Sequence, residues 1–196
     1  MFTGIIESTG SLMNVSVEGT NRVFEISCPF TRELSIGQSV AHDGVCLTVT
    51  ALHDNAYTVT AIDETLKKTN LGEWKKNKKV NLERCVPANG RFDRHIVQGH
   101  VDTTVVCAEI IEQTGSHLFK FSFLTTEHSH LVVSKGSVCI NGVSLTVVDT
   151  KNNGFSVAVI PHTFEATGFH QMKKGDSVNV EFDIIGKYVE RMTNSR

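Results

Sequence analysis

The sequence predicts an all-β chain made of two copies of one small barrel or sandwich, followed by a short C-terminal helix. Three observations predict it. One fixed offset relates the two halves, apolar residues alternate with period two, and turn-forming pairs separate the alternating runs. The clearest repeat is Gly44-Val45-Cys46-Leu47-Thr48-Val49 against Gly142-Val143-Ser144-Leu145-Thr146-Val147, 98 residues on (142 − 44) and different at one position. The same offset carries Val80-Asn81-Leu82-Glu83 onto Val178-Asn179-Val180-Glu181. It also carries Ile62, Thr65 and Thr69 onto Ile160, Thr163 and Thr167. Nearer the N-terminus Gly4 pairs with Gly99, 95 apart (99 − 4), so the copies differ slightly in length. This divides the chain into repeat 1 at 1–95, repeat 2 at 96–184 and a helix with its tail at 185–196.

In chain order, the first run is Arg22–Ser27. Val45, Leu47 and Val49 then alternate with Cys46, Thr48 and Thr50, and Ala56–Ala61 follows. Glu64–Asn70 reads as a short helix and Lys79–Arg84 as the next strand. Pro87, Asn89 and Gly90 mark a linker. Repeat 2 has strands at Val105–Ile111 and Leu118–Phe123 and a short helix at Thr126–Val133. Val143, Leu145 and Val147 then alternate with Ser144, Thr146 and Val148, and Phe155–Ile160 and Ser177–Phe182 complete it. Asp43-Gly44, Asn141-Gly142 and Asn152-Asn153-Gly154 supply turns. Closing such strands into barrels removes exposed edges. In Ile184–Met192 the apolar residues Ile185, Tyr188, Val189 and Met192 follow helical spacing. That stripe packs on its own domain or contacts another subunit.

Composition excludes several classes. The 196 residues are 40 % hydrophobic and 20 % charged, with a net charge of −2, so nothing in bulk electrostatics favours nucleic acid or an anionic membrane. No apolar run approaches the roughly 20 residues of a membrane-spanning helix, and MFTGIIESTG lacks the features of a signal peptide. Five cysteines with no CxxC argue for reduced thiols, a cytoplasmic location and no cysteine-based zinc site. His128 and His130 lack an evident third ligand, and Lys75-Lys76-Asn77-Lys78-Lys79 reads as a solvated turn. GxGxxG, Walker A and GxSxG patterns are absent. What remains are two matched polar strand faces, with Cys46 against Ser144 and Ile5 against His100 as chemical differences. They suit two copies of one ligand. A histidine is a competent base at neutral pH.

The segments MFTGIIE, GVCLTV, ETLKKTNLG, VNLER, HIVQGHVDTT, KGSVCINGVSLTV and IPHTFEATG resemble the riboflavin synthase family, in that family's order and along nearly the whole chain. The resemblance implies two homologous six-stranded closed β-barrels of Greek-key type and a C-terminal helix. It implies that two molecules of 6,7-dimethyl-8-ribityllumazine exchange a four-carbon unit, giving riboflavin and 5-amino-6-ribitylaminouracil, without metal or organic cofactor. It also implies a homotrimer whose active sites each hold two substrates, one on each facing barrel.

Carried over by position, the first site would use Gly4, Ile5 and Ile6, then Cys46, Leu47 and Thr48, then Thr60, Ala61, Ile62, Asp63, Glu64 and Thr65. The second would use Gly99, His100, Val101, Lys135, Ser144, Leu145, Thr146, and Val159, Ile160, Pro161, His162, Thr163 and Phe164. His100 with Thr146 matches the family's base pair, Cys46 and Ser144 match positions at the reacting carbon, and Ser39 and Asp183 match further polar residues. The linker NGRFDRHI lacks the family's paired glycines, which predicts a stiffer hinge. Phe164, Gly168, Phe169 and His170 replace Leu66, Asn70, Leu71 and Gly72 of repeat 1, which leaves the shape of that loop open. The alternative reading is a non-catalytic carrier of lumazine or flavin. Such a carrier needs no base, whereas His100, Ser144 and Thr146 are all present.

Overall fold

The computed structural model describes residues 1–194; the last two residues of the predicted tail lie outside them. The described residues form twelve strands and three α-helices. The first barrel comprises β1 (Ser8–Glu18), β2 (Asn21–Ser27), β3 (Ser39–His42), β4 (Val45–Leu52), β5 (Tyr57–Ala61), helix α1 (Asp63–Lys68) and β6 (Lys79–Arg84). The second comprises β7 (Thr103–Gln113), β8 (Ser116–Phe123), β9 (Ser137–Ile140), β10 (Val143–Lys151), β11 (Gly154–Val159), helix α2 (Pro161–Ala166) and β12 (Ser177–Phe182). Helix α3 (Ile184–Thr193) follows. Both barrels close in one antiparallel order, β1-β2-β5-β4-β3-β6 and its repeat β7-β8-β11-β10-β9-β12. The two halves are therefore copies in topology as well as in sequence.

Local chemistry explains the elements. Asp43-Gly44 and Asn141-Gly142 have positive φ at both positions, the conformation of a type I′ turn, and so join β3 to β4 and β9 to β10 with two-residue loops. Val45, Leu47 and Val49 enter one core, and Val143, Leu145 and Val147 the other. Alternation then breaks at bulges at Thr50 and Val148, and also at Met13 and Ala108. These bulges let short strands curl into closed barrels.

The structure corrects two readings of the sequence and settles a third that was open. β1, β3 and β9 carry too little alternation to be read: β1 is interrupted by its bulge, and the other two have four residues each. The helix expected at Thr126–Val133 is one 3-10 turn, Ser129–Leu131, matching the turn Thr31–Glu33 of repeat 1. The length difference between the copies is in the loop before these turns, since Ile26 to Thr31 corresponds to Phe121 to Ser129. The loop in question after α2 keeps the shape of its counterpart, a helix followed by a 3-10 turn. Its Phe164 ring stacks on His117 at 3.8 Å.

The cores are not equivalent. In the first barrel His42 is fully buried and bonds its Nε2 to the Tyr57 hydroxyl at 2.8 Å. The second has Ile140 and Phe155 at those places. Burial lowers the His42 imidazole from 6.5 to about 4. The unfolded chain thus takes up the proton first, so this contribution to stability is complete above about pH 6.5 and is lost as pH falls towards 4. Its size is on the order of 3 kcal/mol. We predict that His42→Ile with Tyr57→Phe flattens the acid side of the pH–Tm curve measured by circular dichroism. An unchanged curve would show that other groups control acid unfolding.

Candidate functional site

The barrels meet across a pseudo-two-fold axis, and the strands β6 and β12 supply most of its bonds. Asn81 donates its backbone N–H to Asp43 Oδ1 (2.7 Å) and its side-chain amide to the Asn141 carbonyl (2.9 Å). Asn179 repeats both bonds in reverse, to Asn141 Oδ1 (2.8 Å) and the Asp43 carbonyl (2.9 Å). Each asparagine oxygen also accepts a backbone N–H from the other barrel's loop, Gly168 to Asn81 and Asn70 to Asn179. On the axis Gly44 and Gly142 lie backbone to backbone, with no room for a Cβ on either. Lys78 reaches the buried Asp43 carboxylate at 3.3 Å, so the lysine run is not a purely solvated turn.

Two residues further along each strand, a buried glutamate holds a strap of backbone. Glu83 accepts N–H bonds from Thr3 and Gly4 and the Thr3 hydroxyl. Glu181 accepts N–H bonds from Gln98 (2.6 Å), Gly99 (2.8 Å) and His100 (2.8 Å). Burial raises both carboxyls above the usual carboxylate value, against the lowering effect of these donors. The straps cross over to the other barrel. Gly4 accepts the backbone N–H of Ser144, and Gly99 accepts that of Cys46, both at 2.9 Å. Ile6 packs against the second core and Val101 against the first.

This crossing corrects the grouping expected from sequence. Cys46 shares a wall with Gly99, His100 and Val101, not with Gly4, Ile5 and Ile6, which lie beside Ser144. Sequence order places each strap beside its own repeat. The exchange is carried by Glu83 and Glu181, which in the sequence stand out only as part of the duplicated strand. The available signal was a pair of polar residues two apart on one face of an otherwise apolar strand, present in both repeats.

The first wall encloses a pocket of about 430 Å³ lined by Cys46, Glu64, Thr65, Lys68, His100 and His128, among others. His128 and Lys68 were not foreseen, and His128 comes from the longer loop of repeat 2. His130, its partner in the His-x-His pair, turns away to Glu190 at 2.7 Å. Burial raises the Cys46 thiol, with partial opposition from Ser39, so Cys46 is protonated at neutral pH. Ser39 pairs with Thr48 across β3 and β4. Leu47 is in the core, whereas Thr48 is exposed. Thr60 and Ala61 end β5, Ile62 is exposed at the start of α1, and Asp63 pairs with Lys67.

The second wall is covered differently. Ser144 is buried; its hydroxyl meets His95 Nδ1 at 2.6 Å, and its carbonyl accepts from Arg94 at 2.8 Å. Burial lowers the His95 imidazole, with the Asp183 charge opposing, so His95 is neutral at pH 7. Asp183 caps α3 by accepting the Ile185 N–H. Thr146 is exposed on β10. Leu145 and Val159 point into the core, while Ile160, Pro161 and His162 lie exposed at the start of α2. Thr163 accepts the Thr167 hydroxyl through its carbonyl. Lys135 has φ +64° in the loop before β9. Among the described residues no hydrogen bond joins His100 to Thr146, which stand on different walls.

The straps require glycine where they cross. Gly4 and Gly99 have φ +72° and +82°, and a Cβ would fall 2.5 Å from that of Ser144 and 2.6 Å from that of Cys46. Gly19 also has positive φ, at +62°, but open space around it. A side chain in this conformation costs about 1–3 kcal/mol. We predict that Gly99→Ala lowers Tm clearly more than Gly19→Ala in thermal melts, because only Gly99→Ala adds a clash. Equal losses would show that the crossing yields freely.

The lumazine binding domain family matches residues 3–85 and again residues 98–183, one match per barrel. The chain is 43 % identical over 192 residues to the riboflavin synthase of Actinobacillus pleuropneumoniae, covering 97 % of this chain and 89 % of that protein. It is 39 % identical to that of Bacillus subtilis over the same shares of both chains. It is 38 % identical to that of Mycobacterium tuberculosis over 100 % and 99 % of the two chains. In fold it is similar to LumP complexed with riboflavin (TM-score 0.86, 22 % identity, 93 % and 99 % covered). LumP complexed with 6,7-dimethyl-8-(1'-D-ribityl) lumazine gives a TM-score of 0.84 at 21 % identity, with 92 % and 98 % covered. With a full pair of lumazine binding domains and this identity along its whole length, the chain belongs to the riboflavin synthase family.

Proposed function

We infer that the protein is a riboflavin synthase that converts two molecules of 6,7-dimethyl-8-ribityllumazine into riboflavin and 5-amino-6-ribitylaminouracil. The observation carrying this reading is near-full-length identity to riboflavin synthases, together with an imidazole, a thiol and a hydroxyl on the two matched walls. The reaction is a dismutation: one molecule gives up the four-carbon unit that the other gains. Its redox balance closes between the two substrates, so the reading assigns no metal and no organic cofactor.

In this reading each barrel wall holds one lumazine. His100 takes a proton from the C7 methyl group, whose anion is delocalised into the ring, and Thr146 assists it. Cys46, Ser39 and Asp183 are polar groups around the reacting centre, and Ser144, already engaged by His95, positions rather than attacks. Holding two substrates face to face supplies about 7–11 kcal/mol of the barrier. Because His100 and Thr146 are on different walls, the site is completed by a first-barrel wall meeting the second-barrel wall of another chain. Helix α3 supports such an assembly. Its Lys187 and Glu190 bond inward to Asp102 and His130, while Ile185, Tyr188, Val189 and Met192 are 68, 66, 55 and 72 % exposed. An apolar stripe turned outward suits burial against further copies, and we propose a homotrimer. Five thiols in no paired arrangement support a cytoplasmic location.

The test is incubation of the pure protein with 6,7-dimethyl-8-ribityllumazine, chelator and no cofactor. Riboflavin and the pyrimidine are expected in equal amounts; binding without conversion would make the protein a carrier. His100→Ala is expected to lower kcat by about 10²–10⁴-fold, with the lumazine Kd changed only a few-fold. Wild-type turnover in that variant would remove His100 from the role of base.

A further inference from the structure

We propose that Glu181 is the positioning residue for His100, holding the imidazole at the first wall through the backbone strap rather than by contact with the ring. The proposal rests on the reading of His100 as the base. Among the described residues the His100 ring has no hydrogen-bond partner, and the residue is exposed. With no partner on the ring, what places it at the wall is the backbone, which sets the origin and direction of its Cα–Cβ bond. That backbone is tightly fixed. Glu181 is 2 % exposed and accepts three consecutive N–H groups, the last belonging to His100 itself. Gly99, between them, is seated against Cys46, so the carboxylate sets imidazole and thiol on one wall together.

The molecule contains its own control. Glu83 makes the same kind of bonds to the other strap, yet that strap carries Ile5 where Glu181's carries His100. The two carboxylates share burial, strand position and partner type. If their role were only to hold the barrels together, removing either would have the same consequence. If Glu181 acts through His100, its removal has an effect that Glu83 lacks.

A neutral amide of the same size leaves an NH₂ facing backbone donors, so Glu181→Gln should loosen the strap while keeping the volume filled. The test measures kcat and KM for 6,7-dimethyl-8-ribityllumazine in wild type, E181Q, E83Q, H100A and the doubles E181Q/H100A and E83Q/H100A. Folding is followed by circular dichroism, and Glu181→Asp serves as the variant that keeps the charge. The expected result is a kcat at least tenfold lower in E181Q with KM within about threefold, and a partial loss in E181D. In the H100A background E181Q should then change kcat less than twofold, because the group it positions is gone. E83Q should cost the same factor with and without His100. An E181Q effect equally large in both backgrounds, or E181Q and E181D with wild-type kcat, overturns the proposal. Failure of the wild type to convert lumazine, or wild-type kcat in H100A, overturns the functional reading and the proposal with it.

Discussion

Backbone amides shut away from water must find partners, and this molecule meets that demand at its centre with four side chains on two strands. Asn81 and Glu83 on β6, and Asn179 and Glu181 on β12, are all nearly inaccessible to solvent and fully engaged. A buried donor or acceptor left without a partner costs about 1–3 kcal/mol, more when charged. Each of these side chains satisfies two or more groups. The asparagines join barrel to barrel, and the glutamates hold the straps that carry the site. Without these four side chains the barrels would lose their mutual bonds and the straps their anchors.

Much of this architecture is legible in the sequence for a simple reason. Duplication lets each strand be read twice, and a pattern ambiguous once is convincing at a constant offset. The runs around Val45–Val49 and Val143–Val147 are strong because β-branched residues alternate there without interruption. Strands β1, β3 and β9 escape notice because a bulge or a length of four residues gives too few alternations. The walls of the site are harder still. Side-chain alternation places Cys46 and Ser144 on outward faces but carries no information on which strap crosses to meet them. That depends on two carboxylates whose partners are 80 or more residues away.

Departures from symmetry gather at the two walls. One strap carries Ile5 and the other His100; one wall presents a thiol and the other a hydroxyl engaged by an imidazole. The longer loop of repeat 2 brings His128 to the first wall. A reaction between two identical molecules in different parts needs such differences, because two identical sites would treat both alike. The cores diverge as well, with Ile140 and Phe155 in the second barrel where the first has His42 and Tyr57.

The glycine contact on the axis also speaks to how such a chain can arise. Gly44 faces Gly142, its own counterpart, so the interface is isologous in form: a lone barrel could dock on an identical twin with the same surface. In such a twin every substitution appears twice, once in each half. Joining the twins in one polypeptide removes that restriction. Each half can then change alone, and a symmetric binding module acquires the freedom to specialise one copy for a different chemical task.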